Sequence, residues 1–177
     1  ARSLNEAGIP YMIIGGQAVL VHGESRFTND IDVTLGVGPD RLLDVMTVAR
    51  KNDWQILPEN PESFVEKTMV LPCRDNDTGM RIDLVFSFTP YERNAIDRAI
   101  TVRVDDSDVS IASVEDLVIH KIVAGRSRDI DDVRSVILKN PASDWGYVRR
   151  WLNAFEDTVD RELVQEFEKL LDECTSD

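Results

Sequence analysis

Two carboxylates, Asp30 and Asp32, stand one residue apart in an otherwise apolar run, Asp30-Ile31-Asp32-Val33-Thr34-Leu35. The β-branched residues of Ile31–Leu35 favour a strand, in which side chains alternate between faces. The spacing therefore turns both carboxylates to one side, close enough to repel unless a cation lies between them. Hard oxygen donors suit Mg²⁺ or Mn²⁺, which keep several waters and complete their shells with substrate phosphate. A third acid, Asp83, sits in Arg81-Ile82-Asp83-Leu84-Val85-Phe86, where apolar neighbours make an unpaired charge expensive. On residue chemistry alone, Asp83 is either a metal ligand or the ion-pair partner of Arg81 or Arg103.

Upstream elements must position the pair. Tyr11–Ile14 is an apolar strand candidate, and Gly15-Gly16 followed by Gln17-Ala18-Val19-Leu20-Val21 reads as a tight turn opening a helix. A helix N-terminus offers free backbone N–H groups and the positive end of its dipole, and paired glycines let a phosphate come close to both. Arg26 and Thr28, between this helix and the acids, are expected beside the phosphates. Phosphate and metal would then meet at one place.

Gly15-Gly16, a spacer and Asp30-Ile31-Asp32 resemble the signature of the nucleotidyltransferase superfamily, whose fold is shared with DNA polymerase β and the aminoglycoside nucleotidyltransferases. The wording Arg26-x-Thr28-x-Asp30-Ile31-Asp32, with the later Glu115-Asp116-Leu117 and Arg128-Asp129, looks most like the small bacterial proteins grouped with the abortive-infection nucleotidyltransferase toxins. The resemblance covers roughly the first three quarters of the chain. It implies an α+β fold, a mixed β-sheet with flanking helices followed by C-terminal helices. It makes Asp83 the third catalytic acid, on a strand beside the paired acids, and Lys121 a helix residue reaching toward the active site.

The activity so implied is transfer of a nucleoside monophosphate from a nucleoside triphosphate to an acceptor hydroxyl. Two divalent ions held by Asp30, Asp32 and Asp83 would align the α-phosphate for in-line attack, with pyrophosphate leaving. Gly15 and Gly16 would hold the β and γ phosphates through backbone N–H groups, and Arg26 or Lys121 would offset charge on the leaving group. The implied acceptor is tRNA or protein in a toxin–antitoxin-like setting, with a possible partner protein. A small-molecule (antibiotic) acceptor is the alternative. A non-catalytic binding module of a toxin–antitoxin pair is the other, and three intact carboxylates argue against it.

The 177 residues, 42% hydrophobic with mixed charge, fit a globular domain with an ample core. We expect a nucleotidyltransferase domain over 1–140 and a C-terminal helical extension over 141–177, divided near Asn140-Pro141. No stretch approaches the length of apolar sequence that crosses a membrane and no charged-then-apolar leader opens the chain, so a soluble, cytoplasmic protein is expected. The sequence does not begin with Met, and Arg2–Gly8 reads as the end of a helix already under way, so part of the natural N-terminus is expected to precede it. Cys73 and Cys174 match no metal-ligand spacing and read as idle thiols; His22 and His120 have no triad partners and read as structural. A net charge of −13 does not attract long nucleic acid by its overall field, although Lys121, Arg126, Arg128, Arg149 and Arg150 are candidates for a local basic face.

Along the rest of the chain, Asp40 is the expected cap of a helix over Arg41–Arg50, and Trp54–Leu57 a strand. Pro58–Ser63 reads as a loop flanking the nucleotide, with Phe64–Cys73 and Met80–Phe88 as strands joined by a hairpin turn. Ile100–Val104 and Val109–Ala112 form a second hairpin candidate. Ser113-Val114-Glu115-Asp116 has the form of a capping box, and helices follow through Val123, over Asp129–Leu138, Trp145–Phe155 and Glu162–Glu173. Arg128 with Asp129 and Asp132 is read as a local staple between two of them.

Overall fold

Alternation along Asp30–Leu35 sorts the strand as its spacing requires: Val33 and Leu35 are buried in an apolar core with Ile31 packed against it, while Asp30, Asp32 and Thr34 take the other face. The computed structural model describes residues 1–24, 27–87 and 89–175. They divide into two units, one of Ala1–Gln17 and Phe27–Ala112, the other of Ala18–Arg26 and Ser113–Asp177.

The first unit is built on a mixed sheet. Its strands are β1 (Tyr11–Ile14), β2 (Asp30–Leu35), β3 (Trp54–Ile56), β4 (Val70–Asp75), β5 (Arg81–Phe86), β6 (Ile100–Val104) and β7 (Ser107–Ile111). Among the described residues these form one seven-stranded sheet in the order β3-β4-β5-β2-β1-β7-β6, parallel at β2–β5 and β1–β7 and antiparallel elsewhere. One face, carrying Val33, Leu35, Leu71, Ile82, Leu84 and Phe86, is covered by Leu4 of α1 (Arg2–Glu6), Val45, Met46 and Ala49 of α3 (Leu42–Lys51) and Val65 of α4 (Pro61–Thr68). Helix α2 (Gly15–His22) starts where β1 ends, and α5 (Pro90–Asp97) is capped by Thr89, whose hydroxyl accepts from Glu92 N.

Two local expectations change. Phe64–Thr68 is helical and not strand: the Asn60 side chain accepts from Ser63 N at 3.1 Å, Pro61 occupies the first turn, and Met69 closes the helix in the left-handed region at φ 60°. A side-chain cap of this kind stabilises a helix by about 1 kcal/mol, enough to outweigh the β-preference of Phe64 and Val65. The loop expected over Pro58–Ser63 is thereby shortened. Asp40 lies inside a 3₁₀ turn, Pro39–Arg41, and α3 begins after it with no side-chain cap.

The second unit gathers α6 (Val114–Ala124), α7 (Ser127–Lys139), α8 (Trp145–Glu156) and α9 (Leu163–Thr175). Helix α6 packs against the other three and buries Leu117, Val118, Ile119 and Ile122, the pattern of a central helix. After residue 112 the chain belongs to the second unit, in which α6 and α7 bury their apolar faces against α8 and α9. Among the described residues no helix is long and apolar enough to cross a membrane.

Candidate active site

Strand register assembles the site within the first unit. Asp32 of β2 is the partner of Asp83 on β5, and Asp30 is the partner of Arg81. Directly paired residues share a face, so all three carboxylates and the Arg81 guanidinium rise from the side opposite the core. Asp83 stands about 4.8 Å, one strand spacing, from Asp32, and Asp30 lies about 6.7 Å further along its strand. Pro72 of β4 flanks Asp83, and Ile14 of β1 flanks Asp32.

The glycine pair is packed against this face. Gly15 has φ +65°, and a Cβ there would overlap Asp32 Oδ2 and lie 3.0 Å from its Cγ. At Gly16 a Cβ would meet Thr28 Oγ1 at 2.5 Å and Thr28 Cβ at 2.9 Å. The two glycines thus admit protein side chains, Asp32 and Thr28, a demand that close approach of phosphate alone did not suggest. Thr28 Oγ1 donates to Asp30 Oδ1 at 2.6 Å, and Gln17 Nε2 donates to the Asp30 carbonyl at 3.5 Å. The first turn of α2 and the segment before β2 therefore orient the acids together. Gln17 was not singled out by sequence reasoning; its place directly after Gly15-Gly16, in the first helical turn, was the available signal.

Asp83 has a partner. Arg81 Nε lies 2.9 Å from Oδ1 and 3.0 Å from Oδ2, with the Asp83 side chain 20% exposed and that of Arg81 54%. Arg103, the other expected partner, instead pairs with Asp108 at 2.9 Å on the β6–β7 hairpin. Among the described residues no three His, Cys, Asp or Glu side chains are gathered into a metal cage. Asp30 is turned to Thr28 and Asp83 to Arg81. The donor set nevertheless fits a hard divalent cation, since it consists of carboxylate oxygens on one face at adjacent register positions. Arg81 already holds both Asp83 oxygens, so such a cation competes with it there.

The other site expectations fall differently. Arg26 lies outside the described residues. Lys121 is 5% exposed, and its ammonium sits between Asp129 Oδ1 at 2.8 Å and Asp132 Oδ2 at 2.7 Å, with Arg126 Nε 3.0 Å from the other Asp129 oxygen. The lysine expected at the triphosphate is thus engaged in a buried ion cluster joining α6 to α7, on the same two acids that the Arg128 staple was expected to use. Asp116 of the Glu115-Asp116-Leu117 wording is also structural: Ser113 Oγ donates to Oδ2 at 2.6 Å and Tyr147 Oη to Oδ1 at 2.9 Å. Cys73 is buried, and desolvation together with the Asp83 charge pushes its thiol up to about 12, so it is no nucleophile at neutral pH.

Known proteins bear on this arrangement. Residues 3–173 match the family described as nucleotidyltransferase of unknown function (DUF6036). No curated protein sequence matches the chain. Among solved structures, the fold is similar to that of the antibiotic-resistance factor ANT(2'')-Ia, with 14% identity over 90% of both chains and a TM-score of 0.58. It is similar to an antigenic nucleotidyltransferase-like protein from Paracoccidioides brasiliensis, with 18% identity over 80% of this chain and 72% of that one and a TM-score of 0.55. It is also similar to the lincosamide antibiotic adenylyltransferase LnuA with lincomycin bound, with 14% identity over 75% of this chain and 89% of that one and a TM-score of 0.51. At these identities the solved structures speak for the shared fold, whereas the family match spans nearly the whole sequence: the chain belongs to the DUF6036 nucleotidyltransferase family.

Proposed function

We propose that the protein is a metal-dependent nucleotidyltransferase that moves a nucleoside monophosphate from a nucleoside triphosphate to an acceptor hydroxyl, with Asp30, Asp32 and Asp83 as its catalytic and metal-holding carboxylates. The observation that carries this reading is the β2–β5 register, which sets the three acids at adjacent positions of one sheet face. Bound divalent cations, two in this reading, supply charge neutralisation at the α-phosphate and lower the pKa of the acceptor hydroxyl. Thr28 orients Asp30 through its hydroxyl, and the absence of a Cβ at Gly15 lets Asp32 take its position. Free backbone N–H groups at the start of α2, from Gly15 and Gly16, receive the β and γ phosphates. Arg26 adds positive charge at the phosphates. The acceptor oxygen bonds to the α-phosphorus as the bond to pyrophosphate breaks, and the hydroxyl proton leaves to solvent. We place the reaction in the cytoplasm, where nucleoside triphosphates are supplied.

Two acceptor classes follow from two observations. The abortive-infection wording of the sequence supports tRNA or protein in a toxin–antitoxin-like setting. The likeness to ANT(2'')-Ia, whose solved structures include one with adenylyl-2''-tobramycin, and to lincomycin-bound LnuA supports a small molecule. A net charge of −13 favours a compact acceptor over a long polyanion. A non-catalytic binding module has no need of three carboxylates gathered on one sheet face.

The test is incubation with each α-labelled triphosphate, with and without Mg²⁺, in the presence of whole-cell extract, tobramycin or lincomycin. Label is expected on one acceptor class in Mg²⁺ and on none in EDTA. Triphosphate binding that calorimetry finds equal with and without chelator refutes the proposal.

A further inference from the structure

We infer, on the reading of the site given above, that Arg81 is a movable counter-cation: its guanidinium holds Asp83 while no metal is bound and passes to the triphosphate when a metal–triphosphate complex takes Asp83. Its contact is with both Asp83 oxygens, at 2.9 and 3.0 Å, which are the donors a cation would need. Its side chain is 54% exposed, so it can rotate without opening the core. Its backbone stays in place, paired with Asp30 on one side and Arg74 on the other, with its N–H donating to the Asn29 carbonyl at 3.3 Å.

The exchange follows from charge pairing. A bare cation arriving at Asp83 competes with Arg81 for its charge and oxygens and offers the guanidinium nothing in return. A metal–triphosphate complex brings phosphate oxygens to the same face, and the planar guanidinium fork matches phosphate as well as carboxylate. The charges of Arg81 and Asp83 are then each paired before and after the exchange. The two ligands are therefore coupled through Arg81, and each binds better in the presence of the other. Arg81 also supplies the cation that Lys121, held between Asp129 and Asp132, does not. It acts as a positioning residue for Asp83 before binding and as a phosphate contact afterwards.

The test measures two affinities in the wild type and in Arg81→Gln: Mn²⁺ alone, by paramagnetic resonance of the free ion, and Mg²⁺ with a non-hydrolysable α,β-methylene triphosphate, by calorimetry. Loss of the competing exposed ion pair should tighten bare Mn²⁺ binding about two- to fivefold. Loss of the charged contact should weaken the metal–triphosphate complex about tenfold or more. Arg74→Gln makes the same change of charge one strand away, and both effects should be less than half as large. Arg81→Lys, which keeps the charge and loses the fork, should fall between, and melting in EDTA checks that each variant folds. Equal Mn²⁺ affinity in wild type and Arg81→Gln, unchanged affinity for the complex, or equal effects of Arg74→Gln and Arg81→Gln each overturn the inference. A wild type that binds no metal–triphosphate at all overturns the proposed function, and this inference with it.

Discussion

Gly15→Ala separates the role of a turn from the role of a site. Gly8 and Gly15 share a positive φ, +61° and +65°, but a Cβ at Gly8 meets nothing within 4 Å whereas one at Gly15 overlaps the Asp32 carboxylate. An L side chain in the left-handed region costs about 1–2 kcal/mol at either position. For a chain of this length each kcal/mol lowers the melting temperature by about 2–4 °C, so both variants should lose about 2–8 °C. The sharpest conflict at Gly15 is with the far end of a side chain, which Asp32 relieves by turning away, and the 3.2 Å approach to Asp32 Cβ asks only for a shift of a few tenths of an ångström. Stability should thus change alike in the two variants while binding does not. Disturbing a group that orients a metal ligand typically costs about 10–100-fold in affinity, and that loss is expected for Gly15→Ala alone. Paired melts in EDTA and calorimetry with Mg²⁺ and a non-hydrolysable triphosphate provide the comparison. Wild-type affinity in Gly15→Ala would refute the reasoning, as would an equal loss in Gly8→Ala.

Other expectations are independent of that pair. Asp83→Asn should cut turnover by about 10²–10⁴, the several kcal/mol that charge stabilisation at a metal site supplies. Because Arg81 is half exposed, the same change should cost at most about 1 kcal/mol in EDTA; a fall in melting temperature beyond about 4 °C would make Asp83 structural. Lys121→Met removes the buried cation between Asp129 and Asp132, leaving Arg126 on one Asp129 oxygen, and should lower stability in urea by about 3–5 kcal/mol, with Asp129→Asn added in the same chain restoring part of it. A loss below about 1 kcal/mol would show that the cluster is not what joins α6 to α7. Cys174, partly exposed, should react with a disulfide reagent in the native protein at pH 8, and Cys73 only on unfolding. The Cys73 thiol is raised from its ordinary 9.0 to about 12, so the stability it contributes as a neutral group is complete below pH 9 and is lost as pH rises toward 12. Two fast-reacting thiols at pH 8 would contradict that burial.

Features that depend on neighbours along the chain were legible before any fold was known. Period-two alternation decides that Asp30 and Asp32 share a face and that Val33 and Leu35 do not. Cap chemistry is equally local, which is why the Ser113 cap and the helix after it were legible, and why Asn60 with Pro61 held a signal for α4 that the β-preference of Phe64 and Val65 obscured. The glycine turn was legible as a turn. Its packing was not, because the atoms that demand glycine, those of Asp32 and Thr28, come from 17 and 12 residues further on.

Which charges meet depends on how distant segments pack. The β2–β5 register makes Asp83 the neighbour of Asp32, and a slip of one residue would have turned it to the core. Sequence chemistry offered Arg81 and Arg103 equally for Asp83, and strand pairing resolved the choice by committing Arg103 to Asp108. Lys121 could be drawn toward a triphosphate or toward acids, and the fold of α7 against α6 brought Asp129 and Asp132 to its ammonium. The physical reason is the same each time: a side chain's periodicity is written in its own segment, but a charge has no preferred partner until the backbone has chosen which segments lie within a few ångströms of it.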